Sequence, residues 1–273
     1  MKYVILMIMF LVLITSCKEK EQKQGNKTQL LSKEKLLQQR NNRPSALKNH
    51  KFIKEKDQKL LYGGANPDQH FDVSNLELKP ENFHYGIGRE QFPALLEPEF
   101  ITVSQADKIW ADSVRFLLAY TKNQAKAYSI KDLTIHEVVN DYLDGKPIMA
   151  VYCILADLGA IYKRGYHNQT LTFALSGYTY YDDNVFEGLD GFVLWDRETE
   201  SLWWPLANKA VSGPLKGVKL HKLEQHFWKD VNWGYIKENF PETHVLKSNQ
   251  RFTPPQSWDK IKDVSLIKSS IVN

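Results

Sequence analysis

The sequence predicts a mainly β fold: a single antiparallel domain, barrel-like or sandwich-like, with short hairpins and one or two peripheral helices. Three observations lead there. Between about residues 80 and 246, apolar residues alternate or fall in short runs, the patterns of half-buried and fully buried strands. The runs are closely spaced and separated by turn residues, which is hairpin punctuation. Only residues 230–239 carry a clear helical pattern, and no internal repeat is present.

Taken in order, the chain begins with a segment that does not belong to the fold. Met1 and Lys2 form a short positive start, and residues 3–14 are almost wholly apolar. The run is too short to span a bilayer as a helix. It ends in Ile14-Thr15-Ser16-Cys17, so residues 1–16 read as a secretory signal peptide. The ending resembles the lipobox of bacterial lipoproteins. That resemblance implies cleavage before Cys17 and acylation of its sulfur and amino group. Two chains suffice for stable attachment, at ~0.8 kcal/mol per buried methylene.

Residues 17–58 then read as a flexible tether rich in Lys, Glu, Gln and Asn, with transient helix around 33–39. As a coil of ~40 residues it would reach roughly 30–40 Å. The formal net charge is +4, and removal of residues 1–16 takes one lysine and leaves +3. That balance is mild and the basic residues are scattered, so the partners expected are a membrane and no nucleic acid.

Residues 59–91 form a lead-in, with turn signals at Asn66-Pro67-Asp68 and Leu78-Lys79-Pro80. The domain proper spans 92–246. Val114, Phe116, Leu118 and Tyr120 alternate, a half-buried strand with Arg115 on its other face. Residues 121–124 turn, with Asn123 suited to positive φ, and 125–130 return. Residues 148–155 are a buried strand. Residues 159–163 and 170–175 flank a turn at 165–169, and 191–195 and 201–204 flank Arg197-Glu198-Thr199-Glu200, giving two further hairpins. Residues 218–223 make another strand. Asp230 is placed to cap the helix that Pro241 ends. Residues 247–273 form a C-terminal tail.

A set of short motifs follows in order: Phe92-Pro93-Ala94-Leu95, Ala125-Lys126-Ala127-Tyr128, His136-Glu137-Val138-Val139-Asn140-Asp141, Val151-Tyr152-Cys153, Leu171-Thr172-Phe173, Ser176-Gly177, Trp195-Asp196-Arg197-Glu198-Thr199, Ser201-Leu202-Trp203 and Ser212-Gly213-Pro214-Leu215. This set resembles the domain-of-unknown-function family 3179. The resemblance implies an exported, often membrane-attached domain and no established reaction. Family members carry Cys-Pro-Leu-Cys-Gly after the tyrosine. This chain reads Cys153-Ile154-Leu155-Ala156-Asp157, so Ala156 replaces the second cysteine. The family's Trp before the His-Glu pair is Ile135 here, and the loop from 177 to 196 is longer and acidic.

Chemistry concentrates in the stretch from His136 to Cys153. His136, Glu137 and Cys153 are the catalytic candidates. Imidazole and thiolate also suit a transition metal, which makes His136 and Cys153 metal candidates. No metalloprotease motif is present, because the position four after His136 is Asn140. The competing reading is a hydrogen-bonded core histidine beside an inert buried cysteine. Asn140, Asp141, Asp196 and Arg197 are binding candidates, Arg197 for an anion; the alternative for Asp196 and Arg197 is a hairpin turn with its own salt bridge. Asp182, Asp183, Asn184, Glu187 and Asp190 form an acidic loop whose spacing fits no calcium motif.

These features describe a lipid-anchored extracytoplasmic bacterial lipoprotein of the cell envelope, a binding or accessory module. The alternative is a metal- or thiol-dependent enzyme centred on His136 and Cys153. Lys18 follows the lipidated cysteine where some lipoproteins carry an inner-membrane Asp, which favours the outer membrane. The protein or small-molecule partner is not specified by the sequence.

Overall fold

A computed structural model describes residues 32–251 and 258–269. The signal peptide, Cys17 and residues 18–31 lie outside the described residues. The fold is mainly β and sandwich-like, with no closed barrel among the described residues. One five-stranded sheet runs Lys209–Ser212, Leu202–Trp204, Gly191–Asp196, Phe173–Tyr180, Phe83–Tyr85. The other runs Trp228–Asn232, Arg115–Tyr120, Ala125–Ser129, His244–Leu246, Phe100–Ile101. A three-stranded meander, Val138–Leu143, Lys146–Cys153 and Leu158–Lys163, has Lys146–Cys153 at its centre. All three sheets contribute to one main core, as the buried Leu117, Val139, Met149, Phe173 and Trp203 illustrate.

The 115–129 and 191–204 hairpins form as expected. The central buried strand is also as expected, since Met149, Ala150 and Val151 are all buried. Several local readings need correction. Strand Arg115–Tyr120 is buried on both faces. Phe116 and Leu118 meet Trp233 and Ile236 in a second small core, while Leu117 and Ala119 enter the main one. The visible alternation hid the second apolar set. Asn123 does not take positive φ; Thr121 N–H closes the turn on Gln124 O at 2.8 Å.

The hairpin expected between 159–163 and 170–175 does not exist. Leu158–Lys163 pairs back on Lys146–Cys153, and Phe173–Tyr180 pairs with Gly191–Asp196. Only a short ribbon, Gly165–Tyr166 with Gln169–Thr170, occupies the turn, and His167 and Asn168 both take positive φ there. The helix is Trp233–Asn239, capped by Asn232 rather than Asp230, whose carboxylate binds Arg115. The segment 218–223 makes only isolated bridges.

The domain limits change most. Residues 32–58, expected within a flexible tether, are folded onto the domain. They contain the helix Lys33–Asn42 and the strand Phe52–Glu55, which pairs with Gln58–Leu61. Ala46 is fully buried and its N–H bonds Phe83 O at 2.6 Å. The acidic loop is the reason. Arg43 pairs with Asp190 at 2.6 Å, Arg40 pairs with Asp183 at 3.0 Å and lies over the Tyr181 ring, and Lys33 pairs with Glu187. Opposite charges far apart in sequence meet, which no apolar periodicity announces. The C-terminal segment also packs: Ile267 is buried and Ile261 N–H bonds Glu198 O at 3.0 Å.

Candidate functional site

The stretch from His136 to Cys153 is built by one tight reversal. The helix Ile130–His136 starts at Ser129, whose hydroxyl accepts the Asp132 N–H at 3.0 Å. It ends at Glu137, which takes a left-handed conformation with φ 54°. The chain then turns directly into Val138–Leu143. Pairing of Val138 with Val151, and a 3.0 Å bond from Tyr152 N–H to Glu137 O, set Glu137 beside the end of the central strand and Cys153.

Cys153 is buried and lies 4.0 Å from the Asp190 carbonyl oxygen, to which its thiol donates. Burial pushes this thiol up to about 12, and the nearby Glu137 carboxylate adds to the rise. Backbone N–H groups of Phe192, Ala156 and Leu155 pull the other way without overcoming it. The turn after Cys153 takes positive φ at Asp157. Tyr152 and Arg115 hold the Asp157 carboxylate at 2.7 and 2.8 Å.

Glu137 is the unusual group. Its carboxyl has no hydrogen-bond donor among the described residues, and desolvation alone raises it to about 7. His136, its neighbour, turns elsewhere. Its Nδ1 lies 2.9 Å from Pro93 O, and no hydrogen bond or ion pair joins it to Cys153. Adjacent residues across a helix end point to different sides: the Glu137 carboxylate acts on the sulfur electrostatically, while His136 Nδ1 is turned to Pro93 O. No contact between His136 and Cys153 supports the expected metal pair. Among the described residues, no group of three or more His, Cys, Asp or Glu can hold a metal ion.

Each binding candidate is bonded within the fold, while Arg197 Nη1 is buried without a partner among the described residues. Asn140 imitates a strand, accepting Phe173 N–H at 2.9 Å and donating to Phe173 O at 2.8 Å. Asp141 receives Lys126 at 2.8 and 2.9 Å and the Tyr128 hydroxyl at 2.7 Å. Asp196 is fully buried and raised to about 7 by desolvation. Bonds from Trp203 Nε1 at 2.7 Å and from the Thr199 N–H at 2.7 Å oppose that rise. Arg197 does bind an anion, but it is the chain's own Glu90, gripped through Nε at 2.6 Å and Nη2 at 2.7 Å.

Three features escaped sequence reading. Asp190 Oδ2 accepts both His84 Nδ1 at 2.7 Å and Arg43 Nη1 at 2.6 Å, while its Oδ1 is buried without a partner among the described residues. Arg164 is buried with its guanidinium donating to the carbonyls of Ile148, Leu171 and Asp141 at 2.7–3.0 Å, tying the meander to its neighbours. Trp258 lies over the Arg197 guanidinium at 4.0 Å. Arg40, Arg43 and the acidic loop are each visible as charge in the sequence, but nothing local couples them.

Compared with known proteins, residues 89–259 match the family model described as "Protein of unknown function (DUF3179)". No curated protein and no solved structure matches the chain. The match begins after the segment 32–58 and the strand Phe83–Tyr85, so the folded N-terminal part lies outside the matched region.

Proposed function

The chain belongs to the DUF3179 family, to which no reaction is assigned, and we propose that this member is a lipid-anchored binding or accessory module of the bacterial cell envelope. One observation carries the preference for binding over catalysis: His136, Asn140 and Asp141 are hydrogen-bonded within the fold, and the Cys153 thiol is held protonated. A thiol at about 12 is ionised in only about one molecule in 10⁵ at pH 7. No imidazole is bonded to it as a base, and Ala156 stands where a paired thiol would be. The enzyme reading keeps one supporting observation, the unsatisfied Glu137 carboxyl beside Cys153.

The anchor half of the proposal rests on the apolar run before Ile14-Thr15-Ser16-Cys17. The outer membrane is preferred by the Lys18 argument. The test is Cys17→Ala in cells. Wild type should partition wholly into the detergent-extracted membrane fraction and the variant should be unprocessed or released. An unchanged distribution and mature size would refute the anchor.

A further inference from the structure

The C-terminal segment borders an open groove of about 570 Å³ at the edge of the domain, and Cys153 is not part of its lining. Its volume falls within the roughly 300–1,000 Å³ usual for small-molecule sites. Gln169, Thr170, Thr172, Glu198, Trp258 and Asp259 are among the residues that line it. Two arms of the fold make it. One is the exposed ribbon Gly165–Thr170; the other is the hairpin turn at Glu198, across which residues 258–263 are pinned. The pins are Ile261 N–H to Glu198 O at 3.0 Å, Lys260 Nζ to Arg197 O at 3.1 Å, and Lys260 to Glu200 at 2.7 Å.

We propose that this cavity binds a neutral saccharide, stacked on Trp258. Three features of the lining select that class. The lining is dominated by hydroxyl, amide and carboxylate groups around a single aromatic ring, which is unfavourable for a lipid chain or other apolar ligand. Its charges are of both signs, with Glu198, Asp259 and Asp263 against Lys260 and Lys262, so it has no field for a polyanion. A sugar offers hydroxyls that both donate and accept, matching this mixture, and an apolar C–H face for the ring.

The platform is prepared in advance. Arg197 is fully buried and locked by its two bonds to Glu90, and it backs one face of Trp258. The half-buried ring therefore has a fixed support, and little ordering is left for the ligand to impose. Glu198 is fixed in the same way, with Oε2 accepting the Thr172 N–H at 2.7 Å. A second cavity of about 380 Å³, between Leu95 and Arg251, contains no aromatic side chain and lacks this arrangement.

This reading gives the binding module a ligand class and does not depend on the anchor, so the two fail separately. The test is calorimetric titration of the full mature chain in a detergent without a sugar headgroup, with maltotetraose, cellotetraose, xylotetraose and chitotetraose as probes. At least one should bind with a millimolar or lower Kd. Trp258→Ala should weaken that binding by about tenfold or more, the equivalent of ~1.4 kcal/mol. Thr170→Trp, on the exposed ribbon, should fill the cavity and abolish binding with no change in melting temperature. It keeps the test decisive if Trp258→Ala loosens the C-terminal segment. Absence of binding by all four probes up to about 10 mM would overturn the proposal. So would binding that survives either substitution.

Discussion

Replacing Glu137 by Gln should make the protein's stability less dependent on pH. In the folded chain this carboxyl titrates at about 7 against an ordinary 4.5, because it is buried and receives no hydrogen bond among the described residues. Folding therefore favours the protonated form. The destabilisation is absent below about pH 4.5, grows between 4.5 and 7, and is constant above. Integrated over those limits it approaches ~3 kcal/mol, and between pH 5 and pH 8 it amounts to ~2.5 kcal/mol. Gln cannot ionise. It has the same lack of partners at every pH, so its own desolvation cost cancels when the two pH values are compared. Asp196, raised to about 7 as well, is present in both proteins and cancels in the same way. The assay is urea unfolding followed by tryptophan fluorescence at pH 5 and pH 8. Relative to wild type, Glu137→Gln should gain ~2.5 kcal/mol on going to pH 8, about 5–10 °C in melting temperature for a domain of this size. A stability difference that stays constant from pH 5 to pH 8 would show that Glu137 is solvated or partnered, and the account of the site would fail.

Arg43→Ala should cost about 2–4 kcal/mol, since it leaves the buried Asp190 carboxylate with His84 as its one side-chain partner among the described residues; adding Asp190→Asn should recover part of the loss in a double-mutant cycle. Asn140→Ala should cost about 2–4 kcal/mol by stranding both backbone groups of Phe173 in the core, read by the same unfolding assay, with no recovery in Asn140→Leu. A chain starting at residue 32 should melt as the full mature chain does, whereas one starting at residue 59 should lose several degrees or its cooperativity, because it exposes the core that Ala46 and Phe52 cover.

Local pattern carried much of this molecule. The mainly β class, the hairpins around residues 121–124 and 197–200, the buried strand ending at Cys153 and the family membership all follow from runs of neighbouring residues. Burial of Cys153 was also legible, because Val151 and Tyr152 before it and Leu155 after it leave little room for an exposed sulfur. Readings failed where a decision depended on partners distant in the chain. Leu158–Lys163 had two possible neighbours, and its register with Lys146–Cys153 was chosen by packing.

Site chemistry divides along the same line. Sequence placed His136, Glu137 and Cys153 within one short stretch, but the left-handed turn at Glu137 set the two neighbours on different courses, the carboxylate raising the thiol and the imidazole turned to Pro93 O. Arg197 was recognisable as an anion binder, while the anion, Glu90, lies 107 positions away. Lys33, Arg40 and Arg43 looked like a solvated tether until the acidic loop was brought opposite them. Backbone propensity and apolar periodicity act over a few residues and are written in order along the chain. Charge pairing and desolvation act through space, so Asp190 acquired its partners, and Glu137 its raised pKa, only when folding set their surroundings.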